Sequence, residues 1–250
     1  MTSTEDNVVM GFHAVEAILT KEPAAIRRIL MVSKRRDERM QILVQRAREL
    51  GVRVDSMDQR VVTRIAGDKA HQGIVAECHA VVPSSESDFE AHWSTFSQPL
   101  LLVVDGIMDP RNLGACMRSA GAADVDAVII PKRANAPLSN VVRKTASGAL
   151  EDLMIVQVSN LARRLDWLRE RGVWTVGTDV ESSHPYTDVD YRDPVAIVVG
   201  GEQRGLRRLT REKCDHLVTI PMRGSVSSLN VSVATGILLF ECLRQRGGGS

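Results

Sequence analysis

The stretch Ile220-Pro221-Met222-Arg223-Gly224-Ser225-Val226-Ser227-Ser228-Leu229-Asn230-Val231-Ser232-Val233-Ala234 decides the reading of the chain. An apolar run at 217–220 ends at Pro221, and small or polar residues fill 223–228. A segment rich in small and apolar residues then extends from Leu229 to Arg246. Strand, loop and helix in that order put the loop at the carboxyl end of a strand. Apolar runs of the same kind stand upstream at 100–104, 127–130, 174–177 and 195–199, with helical patterns at 113–122, 160–171 and 204–213. Strands without polar alternation are covered on both faces, so the pattern predicts a mostly parallel sheet in an α/β domain over 99–246.

Ligands of open parallel sheets sit at the carboxyl ends of the strands, and two more strand ends here are followed by small and polar residues. Val103-Val104-Asp105-Gly106 leads into Asp109-Pro110-Arg111-Asn112-Leu113-Gly114-Ala115 and then Arg118-Ser119-Ala120. Asn112 is placed to cap the helix that follows, and Arg118 adds a second polar group near its start. Ile197-Val198-Val199-Gly200-Gly201-Glu202 has glycines that permit close backbone approach, then a carboxylate. Glu202 is read either as an orienting partner for Asn112 and Arg118 or as a proton acceptor. Ser228 and Asn230 cap the last helix, contact substrate, or do both.

Commoner nucleotide and hydrolase sites are excluded. Gly200 and Gly205 have the glycine spacing of a phosphate loop, but Leu206 and Arg207 replace the required Lys and Ser/Thr. No GxGxxG follows a strand, and Val226 after Ser225 breaks a nucleophile elbow. Cys78, Cys116, Cys214 and Cys242 are scattered and the six histidines form no HxxxH or HxH, so no metal site is expected. No apolar run reaches the ~18 residues of a membrane span, and Met1-Thr2-Ser3-Thr4-Glu5-Asp6 is not a signal peptide. A cytoplasmic protein is expected.

The first 82 residues read as a small α/β unit, with strands at 7–10, 28–32, 52–55 and 73–78 and helices at 13–19, 37–50 and 59–65. Pro83-Ser84-Ser85-Glu86-Ser87-Asp88 breaks the pattern, so 83–98 is read as a linker. The net charge of the 250 residues is only +1, yet residues 25–70 hold 12 Lys or Arg against 6 Asp or Glu. Lys34, Arg35, Arg36 and Arg39 are dense enough to contact phosphates of a polyanion; from charge alone, a solvated helix face is the plainer reading. His13 follows a glycine at a helix start, where packing or capping is the first expectation and contact with a polyanion the second. Residues 247–250, Gly-Gly-Gly-Ser, are read as a flexible tail.

Together the three strand-end segments closely resemble the motifs of the SpoU (TrmH-like) family of SPOUT methyltransferases, over residues 99–246. The Ser-Leu-Asn core at 228–230 followed by Val-Ser-Val-Ala-Thr-Gly is the most specific part. Gly11-Phe12-His13-Ala14-Val15 and the N-terminal unit resemble the family's ribosomal-protein-like substrate-binding domain. The two-part layout is most similar to members that methylate guanosine riboses of bacterial 23S ribosomal RNA. Gln203-Arg204 departs from the small or acidic residues common there. The resemblance implies a C-terminal trefoil knot, which ordinary topology rules would reject. It also implies S-adenosylmethionine bound by backbone groups around Thr178, Gly200, Gly201, Ile220, Met222 and Leu229, and a homodimer with the site at its interface.

A ribose hydroxyl is a poor nucleophile until it loses its proton, so a methyl transfer site must position both reactants and help remove that proton. By resemblance Arg118 leads the catalytic candidates, with Asn112, Glu202, Ser228 and Asn230 beside it. Arginine holds its proton above pH ~12, which favours Arg118 as a fixed cation over Arg118 as the base. Competing readings are a transfer RNA ribose methyltransferase, a ribosomal RNA methyltransferase conferring antibiotic resistance, and a non-catalytic RNA-binding assembly factor. The RNA partner is expected to be 23S ribosomal RNA or a precursor particle, with no membrane.

Overall fold

Phe12, Val15 and Leu19 recur on one side of α1 (Phe12–Lys21), and Met40, Leu43 and Ala47 repeat the spacing on α2 (Glu38–Glu49). Such stripes must find a sheet. In a computed structural model, which describes residues 7–33, 37–67, 71–150, 152–202 and 204–247, they do. The chain divides into two units, Met1–Val81 and Val82–Ser250.

The first unit has a four-stranded sheet of β1 (Val8–Met10), β2 (Ile26–Val32), β3 (Val54–Met57) and β4 (Ile74–Cys78) in the order β1-β4-β2-β3. β2 and β3 run parallel, and the other pairs antiparallel. The α1 and α2 stripes pack with Ile29, Ile74 and Ala76. Val62 and Ala66 of α3 (Gln59–Ala66) pack in a second cluster with Val8, Val32 and Val75. Asp37 caps α2 by accepting from the Met40 N–H at 3.1 Å, and Gly51 follows the helix at φ 74°. One carboxylate, Glu77, is buried in this sheet and bound by Arg28 at 2.8 and 3.0 Å and by Arg27. The hydrogen bonds from Arg28 hold its carboxyl below the usual carboxylate range against the opposing cost of burial.

The second unit is a six-stranded, all-parallel sheet in the order β10-β8-β9-β5-β6-β7. Its strands are β5 (Leu100–Asp105), β6 (Ala127–Pro131), β7 (Met154–Val158), β8 (Trp174–Thr178), β9 (Val195–Gly200) and β10 (His216–Val218). Every residue of the neighbouring strands β5 and β9 is buried, as expected of strands with helices on both faces. Leu101, Val103, Ala196 and Val198 pack with Leu161, Leu165 and Leu168 of α7 (Leu161–Arg169). The alternate residues Leu102, Val104, Ile197 and Val199 point to the other face. α5 (Pro110–Ala122) packs there with α6 (Asn140–Ala146) and α9 (Val231–Gly247). No helix of the described residues is long and apolar enough to cross a membrane.

Two expectations are corrected. Residues 83–98 are not a linker: Ser84 bridges to Val156, and Ser85 forms a capping box with Asp88 at the start of α4 (Glu86–His92). Phe89 of α4 is fully buried with Trp93, Phe96 and Trp167, and buried Arg164 binds Glu86 and Glu90 at 2.7 and 2.8 Å. The Ser and Asp residues that suggested a chain break are helix caps, which share turn chemistry. Asn112 does not cap α5. Asp109 does, accepting from the Arg111 N–H at 2.8 Å with Pro110 in the first helical position. The strand β7 and the helix α6 are additions to the elements legible in the sequence.

Candidate active site

Because Asp109 takes the cap, the Asn112 side chain is free to reach across the carboxyl edge of the sheet. Its Nδ2 donates to Glu202 Oε1, and its Oδ1 accepts from Asn230 Nδ2 at 3.0 Å. Asn230 Oδ1 in turn accepts from the Ser232 N–H at 2.9 Å and the Ser232 hydroxyl at 2.6 Å. Asn230 thus caps α9 with its oxygen, as one of the readings of it expected, while it clamps Asn112 with its nitrogen. Three segments up to 118 residues apart meet in one chain of bonds, Glu202–Asn112–Asn230–Ser232. Glu202 and Asn230 are exposed and Asn112 is half-buried.

One turn behind Asn112, Cys116 contacts Thr235 of α9 at 3.4 Å. Burial pushes the Cys116 thiol up to about 11, so it stays protonated near neutral pH and offers no thiolate nucleophile. The buried Asp105 at the end of β5 accepts from the Arg207 N–H at 2.9 Å and pairs with its guanidinium. That bond ties α8 (Arg208–Lys213) to the edge of the site.

Two candidates do not join the cluster. Arg118 is exposed and makes no hydrogen bond or ion pair among the described residues. Six residues along a helix turn it about 120° away from Asn112. Ser228 is exposed in the loop and likewise makes no bond among the described residues. His13 is exposed, 4.0 Å from Glu16. Of the basic patch, Lys34, Arg35 and Arg36 lie outside the described residues; Arg39 is exposed on α2 with its guanidinium 4.7 Å from the centre of the Phe12 ring.

Thr178, Gly200 and Gly201 lie at the ends of β8 and β9, and Ile220, Met222 and Leu229 in the segment after β10. The close approach the glycines permit is to the chain itself. A Cβ on Gly200 would lie 2.1 Å from the Gly205 carbonyl carbon, and one on Gly201 would lie 2.4 Å from the Gly106 oxygen. From 220 to 229 no backbone group bonds to another backbone group among the described residues, and Ile220, Met222 and Leu229 are half-buried. Free backbone donors and acceptors beside half-covered apolar side chains fit a cofactor with polar edges and an apolar body. Among the described residues no three His, Cys, Asp or Glu side chains converge to hold a metal.

Sequence reasoning missed Ser232, Arg207 and a polar group around Arg143. Ser232 was legible as the second residue after a capping Asn; the others become visible only through contacts distant in sequence.

The family model for the SpoU rRNA methylase family matches residues 99–240, and the one for RNA 2′-O ribose methyltransferase substrate binding matches residues 8–83. The chain is 46% identical over 242 residues to the 23S rRNA (guanosine-2′-O-)-methyltransferase RlmB of Shewanella oneidensis, covering 97% of this chain and 98% of that protein. It is also 46% identical to RlmB of Coxiella burnetii, over 95% of each. Among solved structures it is similar to the SpoU methyltransferase AviRb of Streptomyces viridochromogenes in complex with AdoMet. The TM-score is 0.75 at 28% identity, over 97% of this chain and 91% of that one.

Proposed function

The chain belongs to the SpoU rRNA methylase family, and from that membership we propose that it transfers a methyl group from S-adenosylmethionine to the 2′-hydroxyl of a guanosine in 23S ribosomal RNA. The observation that carries the reading is the chain Glu202–Asn112–Asn230, which joins all three motif segments at one sheet edge. The cofactor supplies a methyl group activated on a sulfonium. What the protein adds is position and charge. Backbone groups of 220–229, with Thr178, Gly200 and Gly201 at the neighbouring strand ends, hold the cofactor. Asn112 fixes one oxygen of Glu202, and the second oxygen, unbonded among the described residues, receives or orients the ribose hydroxyl proton. Arg118 serves as a guanidinium that stabilises the developing alkoxide. Ser228 contacts the RNA from the loop.

Two further parts of the reading rest on the resemblance. A homodimer completes the site: α9 exposes Val233 and Phe240, seven residues apart on one face, and Arg118 has no partner among the described residues of a single copy. The trefoil knot is what the resemblance implies for the loops of the second unit. The N-terminal unit positions RNA in the cytoplasm, with Arg39 and its neighbours contacting phosphates.

Ribose-methylation mapping of 23S and transfer RNA from cells lacking the chain, with and without its return, tests this reading. The expected result is one unmethylated guanosine in 23S RNA, restored by complementation. A loss confined to transfer RNA overturns the substrate assignment.

A further inference from the structure

Two other covered arginines among the described residues have acids to pair with. Buried Arg164 has Glu86 and Glu90, and half-buried Arg28 has Glu77. Arg143, on α6, does not. It is 6% exposed, forms no ion pair among the described residues, and its Nε and Nη1 are buried without a hydrogen-bond partner. Asn140 lies three residues earlier, on the same side of the helix, with Nδ2 buried and open; Asn135, in the preceding loop, has both polar side-chain atoms in that state. An uncompensated charge away from water is strongly unfavourable, and no described residue supplies the counter-charge.

Placement says which counter-charge. A Cβ on Gly114 would come within 2.6 Å of the Val142 carbonyl oxygen, so α6 touches α5 at the residue beside Arg143 and two residues past Asn112. The Ala136 N–H donates to the Ile107 carbonyl at 2.8 Å, which ties the Asn135 loop to the loop that leads into α5. In the sheet, β6 flanks β5 on one side, while β9, β8 and β10 lie on the other. The Arg143 group and the cofactor segments therefore flank the Glu202–Asn112–Asn230 chain from opposite sides. Residues 127–150 include Lys132, Arg133, Arg143 and Lys144 and no Asp or Glu, a segment suited to a polyanion.

We propose that Arg143, with Asn135 and Asn140, binds one backbone phosphate of the RNA strand beside the reacting ribose; the proposal rests on the reading of the chain as an RNA ribose methyltransferase. The amides add donors to the guanidinium, and the Asn135 oxygen adds an acceptor for a neighbouring sugar hydroxyl. Arg143 is a binding residue here and takes no part in proton removal.

The test uses the full chain, with deproteinised 23S RNA from cells lacking it and bulk transfer RNA as parallel probes. Arg143→Met is expected to weaken binding about tenfold or more at low salt and to make the slope of log K against log salt shallower by about one unit, the effect of leaving one phosphate unneutralised. Cofactor affinity stays unchanged, and the melting temperature of the free protein holds or rises because an unpaired charge is gone. Asn140→Asp supplies an internal carboxylate one turn from Arg143, and is expected to raise the melting temperature while weakening RNA binding. A lower melting temperature with RNA affinity unchanged makes Arg143 structural and overturns the proposal. So does a changed cofactor Kd, which reassigns the site to the cofactor, or a changed sedimenting mass, which reassigns it to a second copy's carboxylate. If the protein prefers transfer RNA, the substrate reading fails while the slope measured on transfer RNA still judges Arg143.

Discussion

The two units dispose of their polar side chains in different ways. In Met1–Val81 the buried carboxylate is closed off: Glu77 is held by Arg27 and Arg28 of the adjacent strand, and the other described cations of the unit are spread over its surface. In Val82–Ser250 the polar groups gather at the carboxyl edge of a parallel sheet and stay partly open, with Glu202 exposed and Arg143 buried without an acid among the described residues. A mixed sheet offers no single edge at which loops converge, whereas a parallel sheet sends each strand's following loop to the same edge. The first unit is thereby suited to broad contact with a charged partner, and the second to chemistry at one place.

The division itself is the first thing to break. Phe89 lies in the first helix of the second unit and is fully buried in its core. Phe89→Ala is expected to cost about 3–5 kcal/mol of stability. Hydrogen exchange should show that loss in β5, β6 and α7 and leave β2 and β4 protected. Equal loss in both units would mean that they unfold as one body.

Next is the contrast between gathered and spread charge. Arg118→Ala is expected to remove ~2–4 kcal/mol of transition-state stabilisation, read by single-turnover methyl transfer against pH, with cofactor binding retained. Arg118→Lys keeps part of the rate, since it keeps the charge and loses the planar fork. Glu202→Gln abolishes transfer if Glu202 takes the proton and is partly tolerated if it only orients Asn112. A basic limb of the pH profile that disappears only in the arginine variants would make Arg118 the base.

The smallest effect belongs to the first unit. Changing Lys34, Arg35, Arg36 and Arg39 together to Ala is expected to weaken RNA binding and flatten its salt dependence by up to ~0.9 slope units for each phosphate no longer neutralised, with cofactor affinity unchanged. An unaltered slope returns the patch to a solvated face and leaves phosphate binding to the second unit.

Much of this was legible in the residues because it depends on local pattern. Unbroken apolar runs marked β5 and β9 as covered on both faces, and a helical pattern over 37–50 closed by Gly51 marked α2. The order of the three motif segments told which loops share an edge. β7, at the sheet's margin, carries Gln157 within its apolar run and was not legible as a strand. The linker reading of 83–98 failed because Ser85 and Asp88 suit a turn and a helix cap equally well, and only the core around Phe89 decides between them.

Local sequence determined the parallel α/β architecture, the motif residues and the kind of chemistry they serve. Tertiary structure decided which of those side chains meet and which do not. Asn112 reaches Glu202 because Asp109 relieves it of capping; Asn230 serves α9 and Asn112 at once; Arg118 stands apart; and Arg143 is buried with no acid among the described residues to neutralise it. The physical reason is range. Helix stripes and caps are settled within a few residues, whereas hydrogen-bond partners and burial are settled by contacts between segments about a hundred residues apart, to which local periodicity is blind.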